Sequence, residues 1–104
     1  MPIRYFGDVV RYKLGESMYL LIPDIILSSS KLSSDEKLLL SYALTLHNAG
    51  KKMFAKPEYL ESLLGVPNAA QIVEDLGERG YLISTVQGKE PSGWVLRAMK
   101  ERVQ

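Results

Sequence analysis

The stretch Leu32–Ile83 constrains the fold of this chain more than any other. Within it, apolar residues recur at helical spacing in three segments, and each segment is bounded by a capping residue or by glycine. A short run at 51–56, flanked by lysines, separates the first two segments, and the third leads directly into an apolar run typical of a strand. The sequence therefore predicts the order helix, short strand, helix, tight turn, helix, strand.

The first helix is predicted over Ser34–Asn48. Ser33 and Glu36 have the spacing of a capping box, in which each side chain binds the backbone amide of the other residue. Gly50 suits the position after the helix end, where a left-handed backbone is common. Because its apolar stripe is wide, this segment is predicted to be the central helix of the core.

Two shorter helices are predicted to follow. Proline suits the first position of a helix, so the second helix is placed over Pro57–Leu64. Gly65 permits a sharp turn, and the third helix is placed from about Asn68 to Arg79. The third helix has an apolar stripe that is predicted to be buried, formed by Ala69, Ile72, Val73 and Leu76.

The residues before this stretch are predicted to form β-structure. Residues 9–14 and 17–22 are rich in β-branched and aromatic side chains, and Gly15-Glu16 between them suits a hairpin turn. Two strands alone are marginal, so this hairpin is predicted either to pack on the helical body or to pair with a second copy of the chain. A short helix over Asp24–Ser28 follows, and its apolar side chains are expected to be largely buried: Ile25, Ile26 and Leu27.

A second hairpin is predicted after the third helix. Tyr81–Val86 and Trp94–Ala98 are placed as its antiparallel strands, and Trp94 is expected in the core. The residues Gln87–Gly93, which include two glycines and a proline, are predicted to form a flexible tip. Met99–Gln104 is predicted to be a charged tail, with a last helical turn as the alternative.

Composition argues against several classes of function. The chain contains no cysteine and a single histidine, His47, so disulfides and thiolate zinc sites are ruled out. It has no glycine-rich phosphate loop and no nucleophile at motif spacing from the histidine, so we predict no enzyme activity, no cofactor, no metal and no small-molecule ligand. No apolar run approaches the ~20 residues that span a bilayer, and the N-terminus lacks a signal-peptide core, so a cytoplasmic protein without membrane contact is expected.

Three motifs in the central stretch resemble the winged helix-turn-helix modules of phage and plasmid replication initiators and related regulators. They are Leu32-Ser33 with Glu36-Lys37-Leu38, Leu63-Leu64-Gly65-Val66, and Arg79-Gly80-Tyr81-Leu82-Ile83. The resemblance implies an α+β winged helix-turn-helix fold with a three-helix core and a wing hairpin, to which this chain adds an N-terminal β-hairpin. A single domain over 1–104 then comprises the N-terminal hairpin (1–22), the winged-helix core (24–98) and the charged tail (99–104).

The resemblance also implies double-stranded DNA as the partner, a homodimer, and a role in transcription control, replication or partition. In this family the third helix enters the major groove and the wing contacts the backbone or the minor groove. Lysine and arginine contact phosphates, whereas asparagine and glutamine read adenine. The candidate DNA-binding residues are Lys51, Lys52, Lys56, Asn68, Gln71, Lys89, Ser92 and Arg97.

Two features favour an alternative function. The net charge is only +1, although dedicated DNA-binding domains commonly carry a basic excess. The outward face of the third helix carries Glu74, Asp75 and Glu78, and carboxylates repel phosphates. The alternative is a winged-helix adaptor that binds other proteins through this acidic face and the N-terminal hairpin. A structural or virion role is a third class.

Overall fold

The computed structural model describes residues 9–14, 18–53, 56–85 and 88–102. These residues form an α+β arrangement with five helices and two antiparallel hairpins. Among the described residues, no helix has the length and apolar content that a bilayer crossing requires. The elements in chain order are β1 (Val9–Leu14), β2 (Met18–Pro23), α1 (Asp24–Leu27), α2 (Ser34–Asn48), α3 (Pro57–Leu64), α4 (Ala69–Glu78), β3 (Leu82–Thr85), β4 (Gly88–Pro91) and α5 (Gly93–Arg102).

Helix α2 is the centre of the core, as predicted. It begins with the predicted capping box, because Ser33 Oγ accepts from the Glu36 backbone N–H at 3.2 Å and Glu36 Oε1 accepts from the Ser33 backbone N–H at 2.8 Å. It packs against β2, β4 and α4. Its inward side chains are fully buried, among them Leu39, Leu40 and Leu44. Burial of such leucines supplies much of the free energy that holds the other elements to this helix.

The N-terminal hairpin packs on this helix. Strands β1 and β2 pair antiparallel, with Leu14 opposite Met18, so both predicted strands are confirmed. The predicted turn at residues 15–16 lies outside the described residues. Leu20 is fully buried, and the Leu21 backbone N–H donates to Thr45 Oγ1 of α2 at 3.1 Å. The hairpin is therefore attached to the body by both apolar contact and a hydrogen bond.

Helix α1 differs in part from the sequence prediction. Ile26 is buried and Ile25 is half-buried, but Leu27 is 42 % exposed. The expectation that Leu27 is buried is therefore wrong. A helix of one turn presents only one side to the core, so three consecutive apolar residues cannot all be covered.

The helix–turn–helix segment has the predicted bounds to within one residue. Gly65 after α3 has a φ of +70°, in the left-handed region that glycine adopts without a Cβ clash. Helix α4 begins at Ala69, which is buried together with Leu76. Ile72 and Val73 are half-buried against the same core. This half-burial leaves part of α4 accessible beside the second hairpin.

The second hairpin is shorter than predicted. Strand β3 pairs with β4, with Leu82 opposite Pro91 and Thr85 opposite Gly88, so residues assigned to a flexible tip form a strand instead. The predicted strand Trp94–Ala98 is wrong, because these residues lie in α5. Of the predicted tail, Met99–Arg102 continue α5, which agrees with the helical alternative, while 103–104 lie outside the described residues.

Helix α5 forms because a local cap outweighs strand propensity. Ser92 precedes the helix, and its Oγ accepts from the Val95 backbone N–H at 3.3 Å, which is the geometry of an N-cap. Val95 is buried, and Leu96 packs against the core. Trp94, expected in the core, is 58 % exposed.

Candidate nucleic-acid interface

A groove lies between the second hairpin and helices α3 and α4. Its volume is about 420 Å³. The hairpin supplies hydroxyl and amino groups, whereas the helices supply apolar side chains. The lining residues are Met53, Pro57, Leu60, Ala70, Val73, Ser84, Thr85, Gly88 and Lys89.

The hairpin is joined to the lysine-rich segment before α3 by one isolated β-bridge. The Met53 backbone N–H donates to the Lys89 carbonyl oxygen at 3.0 Å, and the Lys89 N–H donates to the Met53 carbonyl oxygen at 3.0 Å. Of the short strand predicted at 51–56, the described residues show only this bridge, and residues 54–55 lie outside them. The bridge places lysines that are distant in sequence beside the same hairpin.

Gly88 makes this close approach possible. Its φ is +125°, which L-residues with a side chain rarely adopt. A Cβ at this position would lie 2.9 Å from the Met53 carbonyl oxygen, closer than real Cβ contacts. Glycine is therefore required here both by the backbone conformation and by the neighbouring strand.

Two of the predicted lysines meet at the hairpin. Lys52 Nζ lies 3.9 Å from Glu90 Oε2 on β4, a partly exposed pair that is too long for a hydrogen bond. Lys89 Nζ donates to Ser84 Oγ at 2.6 Å. Lys51 and Lys56 are exposed on either side of the bridge residue Met53. Lys89 therefore lines the groove, and Lys52 lies beside the same hairpin with Glu90 as an opposing charge.

The start of α4 is capped by a residue that the sequence did not single out. Glu61 Oε2 on α3 accepts from the Ala69 backbone N–H at 3.1 Å. Asn68, in the N-cap position, has a φ of +56° and its exposed side chain makes no capping hydrogen bond. Gln71 Nε2 donates to Asp75 Oδ1 at 2.9 Å, one turn further along. The only signal for Glu61 was a carboxylate in the helix before the tight turn.

The solvent side of α4 is acidic, as the sequence indicated. Glu74 and Glu78 are exposed, and Asp75 is half-buried. No lysine or arginine lies within α4. A negative helix surface beside a groove edged by lysines gives the molecule a strongly uneven charge distribution.

Ser92 and Arg97 do not line the groove. The sequence predicts Ser92 in a flexible tip. In the structure it is buried after β4, and its hydroxyl caps α5. Arg97 is exposed on α5. Of the eight candidate residues, Lys89 alone lines the groove, and Lys52 reaches the same hairpin through Glu90.

Arg79 has a structural role that sequence reasoning missed. Its guanidinium donates to Glu36 Oε2 at 2.7 Å and to the Lys31 carbonyl oxygen, and it lies 5.3 Å from the centre of the Tyr81 ring. Burial raises the pKa of Glu36, but the hydrogen bonds from Ser33 and Arg79 lower it by more, so the pKa lies below its usual value. The hydrogen bond to Glu36 raises the pKa of Arg79. This contact ties the end of α4 to the start of α2.

The chemistry of the groove suits an anionic partner. The amino group of Lys89 and the hydroxyl group of Ser84 lie in its lining and are donors of the kind that bind phosphate oxygens. Lys52 adds an amino group beside the same hairpin. Within the described ranges, no three acidic or histidine side chains converge as metal ligands would. Comparisons with protein-family models, with curated proteins and with solved structures give no significant match for this chain.

Proposed function

We propose that this protein is a winged helix-turn-helix protein that binds double-stranded DNA. The observation that carries the proposal is the lysine-edged groove between the β3–β4 hairpin and α4. In this arrangement α2, α3 and α4 are the three-helix core, Met53 is a one-residue first strand and β3–β4 is the wing. The element order and the Met53–Lys89 bridge support it, because a winged helix pairs its first strand with the returning strand of the wing.

The lysines would bind the DNA backbone. Lys89 lies on the wing and Lys52 beside it, and Lys51 and Lys56 are exposed in the segment that leads to α3. Cationic side chains of this kind contact phosphates without reading bases. The acidic surface of α4 opposes deep entry of this helix into the major groove. We therefore propose binding through the backbone with modest sequence preference, to which Asn68 and Gln71 at the start of α4 would add.

A homodimer is part of the proposal. The outer edge of β1 has no strand partner among the described residues, and the inner side of the hairpin is taken by α2. An open strand edge is a common place for a second copy to pair. The sequence resemblance favours a phage- or plasmid-type regulator of transcription, replication or partition.

The direct test is a gel shift with duplexes tiled across the gene's own neighbourhood, at low and at physiological salt. We expect binding that weakens with salt, and a Lys52→Glu/Lys89→Glu variant that binds roughly tenfold or more weakly. Lys31→Glu/Lys37→Glu, which makes the same charge change at two positions outside the groove lining, is expected to bind as the wild type does. Wild-type affinity that does not depend on salt would contradict the proposal. Thermal unfolding shows whether each variant is folded, so that its binding can be compared with that of the wild type.

The second candidate is a protein adaptor. It is favoured by the exposed carboxylates of Glu74 and Glu78, at positions where a DNA-reading helix commonly carries basic or amide side chains. Absence of any gel shift at low salt would favour the adaptor function over DNA binding. Reversing Lys52 and Lys89 would then leave partner binding intact, whereas Glu74→Lys/Glu78→Lys would abolish it.

A further inference from the structure

A second, more apolar pocket lies between α1, the loop that follows it and α5. Its volume is about 100 Å³. It shares no lining residue with the lysine-edged groove. The pocket is lined by Ile25, Ile26, Ser29, Lys31, Leu32, Tyr81, Trp94, Val95 and Ala98.

Trp94 at the mouth of this pocket is exposed to a degree that its apolar surface disfavours. Trp94 is 58 % exposed, and its ring meets that of Tyr81 in a T-shaped contact with ring centres 5.6 Å apart at 75°. Arg79 covers the same tyrosine at 5.3 Å. Tryptophan, tyrosine and arginine beside a desolvated pocket are the residues that most often dominate the energy of protein interfaces.

The rim of the pocket is basic. Lys31 lines it and is exposed, and Arg97 is exposed three residues after Trp94, on the same face of α5. Lys37 Nζ donates to the Leu27 carbonyl oxygen at the end of α1. The nearby carboxylate of Glu36 is paired with Arg79. Lys31 and Arg97 therefore place positive charge beside the apolar centre of the pocket.

We infer that this pocket binds an acidic segment of a partner protein. An aliphatic or aromatic side chain of the segment enters the pocket beside Trp94. Acidic residues of the same segment pair with Lys31 and Arg97. A two-fold contact with a second copy would place the same positive charges against each other, which disfavours self-pairing through this surface. The inference does not depend on DNA binding, because the two surfaces have no lining residue in common.

The test is selection of random displayed peptides on the full chain, followed by titration of the consensus peptide. Trp94 is the only tryptophan of the sequence, so its emission reports directly on binding. We expect the enriched peptides to combine acidic residues with an aromatic or aliphatic residue. A Lys31→Glu/Arg97→Glu variant, followed by the anisotropy of labelled peptide, should bind the peptide roughly tenfold more weakly, and Trp94→Ala should weaken binding at least as much.

Tyr59→Ala is the matched control, since Tyr59 is 54 % exposed on α3 and lies outside the pocket lining. It should leave peptide binding unchanged. The inference is overturned if no peptide is enriched or if the enriched peptides lack acidic residues. It is equally overturned if the charge-reversed variant binds the consensus peptide as tightly as the wild type does. It is also overturned if sedimentation finds a dimer that Trp94→Ala dissociates, because a second copy then fills the pocket. The charge-reversed variant alters exposed positions only, so the test stands even if Trp94→Ala fails to fold.

Discussion

Gly88 is the residue at which a substitution would most clearly show how backbone strain lowers the stability of the fold. Gly88→Ala would force an L-residue into a φ of +125° and press a Cβ against the Met53 carbonyl oxygen. We expect a loss of about 1–3 kcal/mol in the free energy of unfolding, measured by chemical denaturation.

The matched substitution is Gly77→Ala in α4, where a Cβ meets no atom within 4 Å and the backbone is helical. This change should stabilise the protein by about 0.5–1 kcal/mol, because alanine loses less backbone entropy than glycine in a helix. Equal effects of the two substitutions would contradict the role assigned to Gly88.

At the scale of elements, the contact between α4 and α2 should respond to pH. The pKa of Glu36 is lowered in the folded state, so its stabilising contribution is present above the unfolded pKa and is lost as pH falls through the folded pKa. Glu36→Gln keeps a side chain suited to the capping box but removes the charge paired with Arg79. We expect the variant to be about 0.5–1 kcal/mol less stable at neutral pH and equal to the wild type well below pH ~4.

Denaturant unfolding of both proteins across this pH range measures the difference. A difference that persists unchanged at low pH would mean that the carboxylate charge contributes nothing. Arg79→Lys is a useful companion, because lysine keeps the charge but presents its donors from one nitrogen, whereas Arg79 uses two nitrogens for Glu36 and the Lys31 carbonyl oxygen.

The elements also show which parts of the fold the sequence could predict. Helices α2 and α3 begin and end at the predicted residues, because the signals that mark their ends are local: the Ser33–Glu36 capping box, Pro57 and Gly65. Strand β4 has low intrinsic strand propensity and pairs through contacts with β3 and Met53. Helix α5 was missed because Trp94 and Val95 favour strands, whereas the Ser92 cap decides the outcome.

The candidate site was predictable to a similar extent. The lysines at 51–56 and on the β3–β4 hairpin are evident as charges in the sequence. The position of Lys52 beside that hairpin depends on the bridge between Met53 and Lys89, which no local pattern encodes. Glu61 and Arg79 make contacts with residues distant in sequence, so their roles also required the folded chain. Long-range contacts therefore limited the prediction of the candidate site.

At the scale of the whole molecule, the uneven distribution of charge matters more than its sum. If about three or four lysines of each protomer contact phosphates, the logarithm of the DNA-binding constant should fall with the logarithm of salt concentration with a slope of about −2.7 to −3.6 per protomer. Titrations of one duplex at several KCl concentrations measure this slope. Lys89→Gln should reduce its magnitude by about 1 per protomer, and Lys31→Gln, at an exposed position outside the groove lining, should leave it unchanged.

The Met53–Lys89 bridge has a consequence for shortened forms of the chain. The segment that carries three of the lysines precedes α3, whereas its bridge partner follows α4 and β3. A fragment that ended before β4 would retain the sequences of all three central helices and most of the lysines. It would nevertheless lack β4, which carries Lys89 and bridges to Met53, so the proposed binding surface belongs to the complete fold and cannot be recovered from α2, α3 and α4 alone.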